Sequence, residues 1–348
     1  MLLAALRDLQ WRRKRFAITV IGTALVFSMG LLMSGLSNAF TVEVDRTLQQ
    51  SGGDRWVAPT GAAGPFSAGI SIPLDGFDAA RGAAGVERAD PVLFTRTVAD
   101  VDGKGIDINL FGVVPGGLGA PQASLGRGPT DTGEALVAKK LASVGESIVI
   151  LGRSFSVVGT VDKASLIAGA PSAFLVLGDA QTLVANGQNV ASMIVTKGVP
   201  TALPVGLTAF DSSQTKADLA RPLKNATQSI DFIRALLWMV AALIVASVIY
   251  LSALERTRDF AVFKATGVPT TAIAAGLALQ AVVIALAASI VGAVLALLIA
   301  PRFPMDVVIS SGSLLFMPVL AVIVGLVSSL VGLRRIAQVQ PAVAFGGP

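Results

Sequence analysis

Four long stretches of the chain contain no charged residue, and this pattern dominates the sequence. A helix needs about 20 apolar residues to cross the roughly 30 Å hydrocarbon core of a bilayer. Three stretches match one crossing each, and the longest is too short for two crossings joined by a turn. That stretch opens with Gly267 and Pro269, which break helices, so its span is predicted to start near Thr271. The pattern predicts four transmembrane helices within residues 16–42, 235–254, 265–301 and 307–333.

The first stretch has an alternative interpretation as a cleaved signal peptide. It follows a basic run, and Ser37, Asn38 and Ala39 weakly resemble a cleavage site. The apolar region of a signal peptide is typically about 7–15 residues long. Because the stretch is nearly twice that length, the sequence favours an uncleaved span.

Residues 39–229, between the first and second spans, show a different pattern. Short β-rich runs alternate with turns rich in Gly, Pro and Asp, which is typical of an α+β domain with its own core. Strands are predicted at Arg55–Pro59, 91–101, 105–114, 147–151, 154–161, 173–177 and 193–196, and helices at 77–84, 134–141 and 179–185. The predicted fold is therefore a membrane protein with four transmembrane α-helices and a large α+β extracytoplasmic domain between the first and second helices.

Composition agrees with this class and excludes several kinds of chemistry. Charged residues make up 14% of the chain, about half the share found in soluble domains, and Cys and His are absent. Disulfides, zinc fingers, thiol nucleophiles and His-based catalysis are therefore excluded. The pairs Asp75/Asp78 and Asp100/Asp102 lie beside Gly in turns, where Asp is common. We predict no catalytic, cofactor or metal site, and no phosphate-loop motif for ATP is present.

The distribution of charge predicts an orientation. The net charge is +5, made of −2 in residues 39–229 and +7 in the rest of the chain. Basic residues gather at the N-terminus, in the 254–266 connection and at the C-terminus, whereas the loop near residue 302 has only Arg302. Because cytoplasmic flanks are enriched in Lys and Arg, both termini are predicted in the cytoplasm of a plasma-membrane protein, with residues about 41–228 outside. Basicity then reports orientation, and nucleic-acid binding is not expected.

Two further features concern the predicted helices. The chain starts with an amphipathic segment whose inner-surface anchor would be Trp11, Arg12, Arg13, Lys14 and Arg15. Small residues recur at four-residue spacing in the third and fourth spans, which permits close helix packing. They are Ala288, Gly292, Ala296, Gly325 and Ser329.

The predicted segments follow from these patterns. They are a cytoplasmic elbow helix at 1–15, a first span at 16–40, the outer domain at 41–216, a stalk and second span at 217–253, a cytoplasmic helix at 254–268, a third span at 269–300, a short outer loop at 301–310, a fourth span at 311–333 and a tail at 334–348. Pro222 is expected to interrupt or start the stalk helix, and Asp231 and Arg234 can pair on one face of it. The loops at 61–69 and 113–119 have two interpretations, ordinary turns or an edge that faces a partner or substrate. Ordinary turns are favoured, because Gly and Pro are common in them.

The 254–266 connection, LERTRDFAVFKAT, is too charged to enter lipid and too apolar for a free loop. A short amphipathic helix at the membrane surface matches this composition. Together with residues 5–22, 125–162 and 334–345, the stretch resembles the permease subunits of the MacB/FtsX/LolC class of ABC transporters (FtsX-like, type VII), whose outer domain is called the MacB periplasmic core.

This resemblance implies a homodimer that works with two copies of a separate ATP-binding subunit, which would hold the ATP and Mg. It implies that the connection is the coupling helix, where Arg256, Arg258 and Asp259 make polar contacts and Phe260 and Phe263 pack. The residues carried over are Glu255, Arg256, Thr257, Arg258, Asp259, Phe260, Phe263, Lys264 and Gly267. The modest outer domain and short cytoplasmic ends depart from the family pattern.

Three functions remain open on the sequence. The first is an ABC permease subunit for export or mechanotransmission, with an envelope protein, a lipid-like molecule or a peptide as the substrate at the outer domain. The second is a transmembrane relay that controls a cell-envelope enzyme without transport. The third, an amino-acid importer subunit, is disfavoured because no importer-type motif is present.

Overall fold

A computed structural model of the protein describes residues 13–69, 72–74, 77–303 and 306–337, with side chains as far as residue 332. Most of the predicted elbow helix and the final residues of the tail lie outside these ranges. The chain divides into two compact units, which are described separately below. A helical unit comprises Met1–Ala39 and Ala226–Pro348, and an α+β unit comprises Phe40–Asn225.

The elements are numbered in chain order. The helices are α1 (Arg13–Ser51), α2 (Phe77–Arg81), α3 (Leu177–Val184), α4 (Ser212–Ala220), α5 (Lys224–Glu255), α6 (Thr257–Ala265), α7 (Thr270–Ile299) and α8 (Ser311–Ala337). The strands are β1 (Arg55–Pro59), β2 (Ile72–Pro73), β3 (Val86–Val101), β4 (Lys104–Val113), β5 (Leu125–Gly126), β6 (Glu134–Ala138), β7 (Ser147–Ile150), β8 (Arg153–Val161), β9 (Ser165–Leu166), β10 (Ala170–Val176), β11 (Val190–Ala191), β12 (Met193–Gly198) and β13 (Leu207–Phe210).

Within the described residues four helices, α1, α5, α7 and α8, are long and apolar enough to cross a membrane. The predicted number of spans is therefore confirmed. Small and apolar side chains fill the interior between them, including Ala24, Phe27, Ala285 and Ala321, all fully buried. Large apolar side chains such as Leu315 stay exposed on the outside of the unit, as expected for helices surrounded by acyl chains.

The α+β unit is built around a ring of six strands. Consecutive pairings join β3 to β4, β4 to β10, β10 to β6, β6 to β8, β8 to β7, and β7 back to β3. Alternate residues of each strand point to the inside of the ring. The enclosed core includes Ile108, Ile148, Phe155 and Leu175, each at most 1% exposed.

The long strand β3 also belongs to a second, open sheet. Its first half pairs with β12, and the order continues through β1 to β13. A smaller core on this sheet contains Val57, Ala89 and Ile194, covered by Ala80 of α2 and Ile72 of β2. The strand β2 pairs in turn with β11. One strand therefore links the two cores of the unit.

The predicted strands are present, with small shifts at their ends, but the helix predicted at 134–141 is wrong. Residues Glu134–Ala138 form β6, which lies between β8 and β10. Ala135, Leu136 and Val137 are fully buried, so the segment has no exposed face. A short apolar run buried on both sides has the same sequence pattern in a helix and in a central strand.

The last turns of α1 belong to the α+β unit and are fastened there by Glu43. This carboxylate is buried, with a residue exposure of 4%. Its Oε1 accepts a hydrogen bond from Ser165 Oγ (3.0 Å) and its Oε2 accepts one from the backbone N–H of Gly169 (3.3 Å). Arg46 Nη1 donates to the carbonyl of Lys163 (3.3 Å). The helix is therefore anchored to the loop between β8 and β10.

The helix α4 is fastened within the same unit. Asp211 caps its N-terminus in a reciprocal pair with Gln214, and the hydrogen bond from the Gln214 backbone N–H lowers the pKa of Asp211. Lys216 Nζ lies 2.6 Å from Asp45 Oδ1 of α1. The buried Asp218 accepts the backbone N–H groups of Phe66 and Ser67 (2.8 and 3.2 Å). A salt bridge to α1 and a buried carboxylate thus hold α4 in place.

Replacing Glu43 by Ala is expected to destabilise the α+β unit by about 2 kcal/mol, because the buried Ser165 hydroxyl and the partly buried Gly169 N–H lose a charged acceptor. Thermal unfolding followed by Trp fluorescence in a Trp11→Phe/Trp238→Phe background reports on this unit, since Trp56 is then the fluorescent Trp and is 2% exposed within it. The exposed Glu87→Ala is the matched control and should leave the midpoint unchanged. Equal midpoints for the two variants would contradict the anchoring role of Glu43.

A second prediction concerns pH. Arg127 donates from Nη1 to Glu134 Oε2 (2.7 Å) and from Nη2 to Glu134 Oε1, which together with the Thr130 N–H lowers the pKa of Glu134 from 4.5 to about 2. The pKa of Glu134 is lower in the folded chain than in the unfolded one. Its ion pair with Arg127 therefore adds fully to the free energy of unfolding above about pH 4.5, and this stabilisation is lost as the pH falls towards 2.

The variant Arg127→Gln should therefore lower the unfolding midpoint at pH 6 and differ little from the native chain near pH 2. Lys139→Gln provides the control, since its pair with Asp162 is exposed on both sides (3.5 Å). A loss for Arg127→Gln that does not depend on pH would show that the carboxylate plays no part.

Candidate functional site

The helix α6 lies between the two spanning helices α5 and α7 and carries the predicted coupling residues. Its inward face is apolar. Phe260 is 4% exposed and Ala261 is fully buried, and Phe260 packs in a cluster with Phe16 of α1 and Ile249 of α5. Phe263 packs partly buried against the same cluster. Both aromatic side chains of α6 therefore hold the helix to the spanning helices of its own chain.

The outward face of α6 is small and mostly polar. Arg258 and Asp259 are exposed, and Val262 is 45% exposed. Arg256, just before the helix, lies with its guanidinium 5.5 Å from the centre of the Phe260 ring and its Nε 3.6 Å from Asp259 Oδ2. A partner approaching α6 would meet Arg258, Asp259 and Val262 and would not reach Phe260.

The end of α5, two residues before α6 begins, is tied to α1 by an ion pair. Arg15 Nη1 lies 2.8 Å from Glu255 Oε1, and Arg15 Nη2 donates to the carbonyl of Val248 (3.3 Å). Thr257 Oγ1 donates back to the carbonyl of Leu254 (2.8 Å). Three helices, α1, α5 and α6, thus meet at one charged end of the helical unit.

The end of α6 is closed by a Schellman turn. Gly267 has a φ of 85°, its N–H donates to the carbonyl of Lys264, and the N–H of Val268 donates to the carbonyl of Phe263. Only glycine adopts this left-handed conformation without strain. The helix α7 begins three residues later at Thr270, close to the start predicted at Thr271. Gly267 therefore fixes the angle between α6 and α7.

The remaining predicted residues divide between two places. Arg13 and Lys14 are exposed at the start of α1, and Trp11 and Arg12 lie outside the described residues. Of the small residues, Gly292 lies against Ala24 and Phe27 of α1, and Gly325 lies against Val282 of α7, where an added Cβ would come within 3.0 Å of the neighbouring helix. Ala288, Ala296 and Ser329 are buried, with exposed fractions of 0%, 0% and 3%.

One polar cluster of the helical unit was not predicted as a site. The predicted pair is present, with Arg234 Nη2 2.9 Å from Asp231 Oδ1. The same guanidinium donates to Ser34 Oγ of α1 (3.2 Å) and lies 5.3 Å from the centre of the Trp238 ring. The spacing of Arg234 and Trp238 by four residues on one helix was the available sequence signal.

The α+β unit has an open cleft of about 870 Å³ beside the loop at residues 113–130. Gln122, Arg127 and Asp162 line it, together with several Gly and Pro residues. Among the described residues no group of three or more Asp or Glu is arranged to hold a metal ion. The mixed polar and apolar lining and the open shape suit a flexible or extended partner more than a small cofactor.

Comparison with known proteins gives two family matches that together cover most of the chain. Residues 16–203 match the MacB-like periplasmic core domain, and residues 232–341 match the FtsX-like permease C-terminal family. An uncharacterized ABC transporter permease of Mycobacterium tuberculosis H37Rv is 46% identical over 351 residues, and one of Mycobacterium bovis is 44% identical over 349 residues, each alignment covering 100% of both chains.

Among solved structures, the periplasmic region of MacB from Actinobacillus actinomycetemcomitans aligns with a TM-score of 0.36 and 11% identity, over 50% of this chain and 96% of that one. The sequence matches alone, at more than 40% identity over the whole chain, establish the family.

The matches also bear out the predicted order of one span, an α+β domain and three further spans. The match to ABC permeases points to a multi-pass plasma-membrane protein. It also implies a partner subunit that binds ATP. The chain belongs to the MacB/FtsX-like family of ABC transporter permeases.

Proposed function

We propose that this permease acts as a homodimer with two copies of a separate ATP-binding subunit and that α6 is the segment on which that subunit docks. The arrangement of α6 carries the proposal. Its apolar face is committed to the spanning helices through Phe260 and Ala261, and its exposed face offers Arg258 and Asp259 for charged contacts. A short helix held at both ends, by the Arg15–Glu255 pair and by the Gly267 turn, moves with the spans when it is pushed.

The helix α1 supports a route for such movement towards the α+β unit. It is one continuous helix from Arg13 to Ser51, paired with Glu255 near its start through Arg15 and anchored through Glu43 in its last turns. Every backbone hydrogen bond of a helix resists stretching along its axis, so an uninterrupted helix carries displacement better than a loop does.

A second connection runs through α4 and α5. The turn Arg221–Leu223, which contains Pro222, separates these helices. Asp218 of α4 holds Phe66 and Ser67, and the Phe66 ring lies 5.0 Å from that of Phe94 on β3. A displacement of α4 is thereby passed to the strand that both sheets share.

We further propose that this movement drives export or mechanotransmission and that the outer partner is an envelope protein, a peptide or a lipid-like molecule at the α+β unit. The charge-free spans support the choice, because coupling to an ion or proton needs ionisable groups inside the membrane. The open cleft beside the 113–130 loop offers the surface.

The double variant Arg258→Glu/Val262→Asp is expected to weaken binding of the ATP-binding subunit by at least about tenfold, because it reverses one charge and adds another on the docking face. The measurement is the amount of ATP-binding subunit that copurifies from native membranes. Arg153→Glu, a charge reversal in the α+β unit, is the matched control. Full copurification with the double variant and an intact fold would rule out α6 as the docking segment.

The proposed orientation is tested by introducing single cysteines. The chain has no Cys of its own, so each introduced thiol is the only one that can be labelled. Ser154 and Ala265 are exposed in their own units and suit the substitution. In intact cells Ser154→Cys should react with a membrane-impermeant maleimide, and Ala265→Cys should react only after the membrane is opened. The reverse pattern would place α6 outside and would overturn the docking proposal.

A further inference from the structure

The helical unit contains an open cleft of about 360 Å³ between α1, α5 and the start of α8. The cleft has two chemically different sides. Arg234, Ser34 and Ser313 form a polar side, and Leu31, Phe316 and Leu320 form an apolar one. Sites of this volume that combine an apolar wall with a few polar groups are typical of small-molecule binding.

The guanidinium of Arg234 has unused hydrogen-bonding capacity in this cleft. Two of its N–H groups are engaged, by Ser34 Oγ and by Asp231 Oδ1. Its Nε is buried and has no hydrogen-bond partner. A buried N–H without an acceptor is unfavourable, and a guanidinium has five donors suited to a planar or tetrahedral anion.

The electrostatics of the cleft favour an anion. Of the residues that line it, none is Asp or Glu, and Asp231 lies outside the lining with 55% of its side chain exposed. The helix α8 begins at Ser311, so the partial positive charge of its N-terminus borders the cleft through Gly312 and Ser313. Arg234 and the helix end therefore act in the same direction.

The position of Arg234 shows what else the ligand contains. It is the last charged residue before the charge-free run 235–254, so it sits at the edge of the hydrocarbon region. Trp238, one turn further along, presents its ring to the guanidinium and lines the same cleft. A ligand that occupies both sides of the cleft has an anionic head at Arg234 and an apolar chain along Leu31 and Phe316.

We propose that this cleft binds an anionic phospholipid of the surrounding bilayer, with the phosphate at Arg234 and the first part of an acyl chain against the apolar side. The bound phosphate accepts from the Nη N–H groups of Arg234 that Ser34 and Asp231 leave open, on a side chain that is 28% exposed. Arg234 and Trp238 could serve only as an interfacial anchor, but an anchor does not need a cleft with an apolar wall beside the guanidinium.

The test uses the full chain, purified in mild detergent and incubated with equal amounts of phosphatidylglycerol and phosphatidylcholine. Native mass spectrometry then counts each bound lipid. The native chain should retain phosphatidylglycerol preferentially, and Arg234→Gln should reduce this preference by about tenfold, the usual effect of losing one charge-assisted hydrogen bond. Asp231→Asn should increase it about threefold by freeing the guanidinium.

Two variants separate this effect from misfolding and from general surface charge. Arg302→Gln removes another basic residue at a helix end, one that lies outside the cleft and donates to the Leu298 carbonyl (2.8 Å), and it should leave the preference unchanged. Gly312→Val adds volume where the nearest heavy atom to a new Cβ would be 3.8 Å away. It should lower binding of phosphatidylglycerol without removing any charge.

Arg234→Lys keeps the charge and should retain part of the preference even if Arg234→Gln does not fold. Inorganic phosphate should fail to displace the lipid, because it offers no chain for the apolar side. Equal retention of the two lipids by the native chain, the same loss for Arg302→Gln as for Arg234→Gln, or complete displacement by phosphate would each overturn the proposal.

Discussion

Hydrocarbon offers no partner to a charged group, and among the described residues of the helical unit this constraint places the ionisable side chains at the helix ends. The run between Arg234 and Glu255 in α5 is free of charge, and each of these two residues has an ion partner, Asp231 and Arg15 respectively. The spans are therefore packed by uncharged side chains, with small residues at the closest approaches, as Gly292 and Gly325 show. Chemistry that involves charge is left to the helix ends.

Two helix ends are held to their neighbours by different contacts. At α6 an ion pair and a left-handed glycine fix a short helix whose aromatic side chains are already used internally. In the α+β unit the buried carboxylate of Glu43, together with contacts of Asp45 and Arg46, holds the last turns of α1. Both arrangements favour a helix that moves as a whole, as the proposed docking of an ATP-binding subunit on α6 would require.

The sequence predicted the parts of this molecule that depend on the amount of apolar surface. Four charge-free stretches were sufficient for the spans, and alternating patterns located most strands. The error at 134–141 arose because β6 is buried on both sides and shows no alternation. The closure of six strands into a ring depends on pairings between distant residues, such as Ala99 with Ile150, which no local pattern encodes.

The candidate site divides in the same way. The charge pattern of the 254–266 connection was enough to predict a surface helix, but it did not show that Phe260 faces inward. The cleft at Arg234 combines residues from three helices, and only the Arg234–Trp238 spacing was visible beforehand. Sites assembled from distant segments need the tertiary structure before their members can be recognised.

The strand ring also limits the number of free strand edges in the α+β unit. Exposed strand edges recruit strands from other molecules, and this is a common origin of aggregation. In the described part of the chain the strands of the ring and of the open sheet form one hydrogen-bonded series. It ends at β5 and β13, which are only 2 and 4 residues long. A domain with so little free edge offers neighbouring molecules few templates for intermolecular pairing.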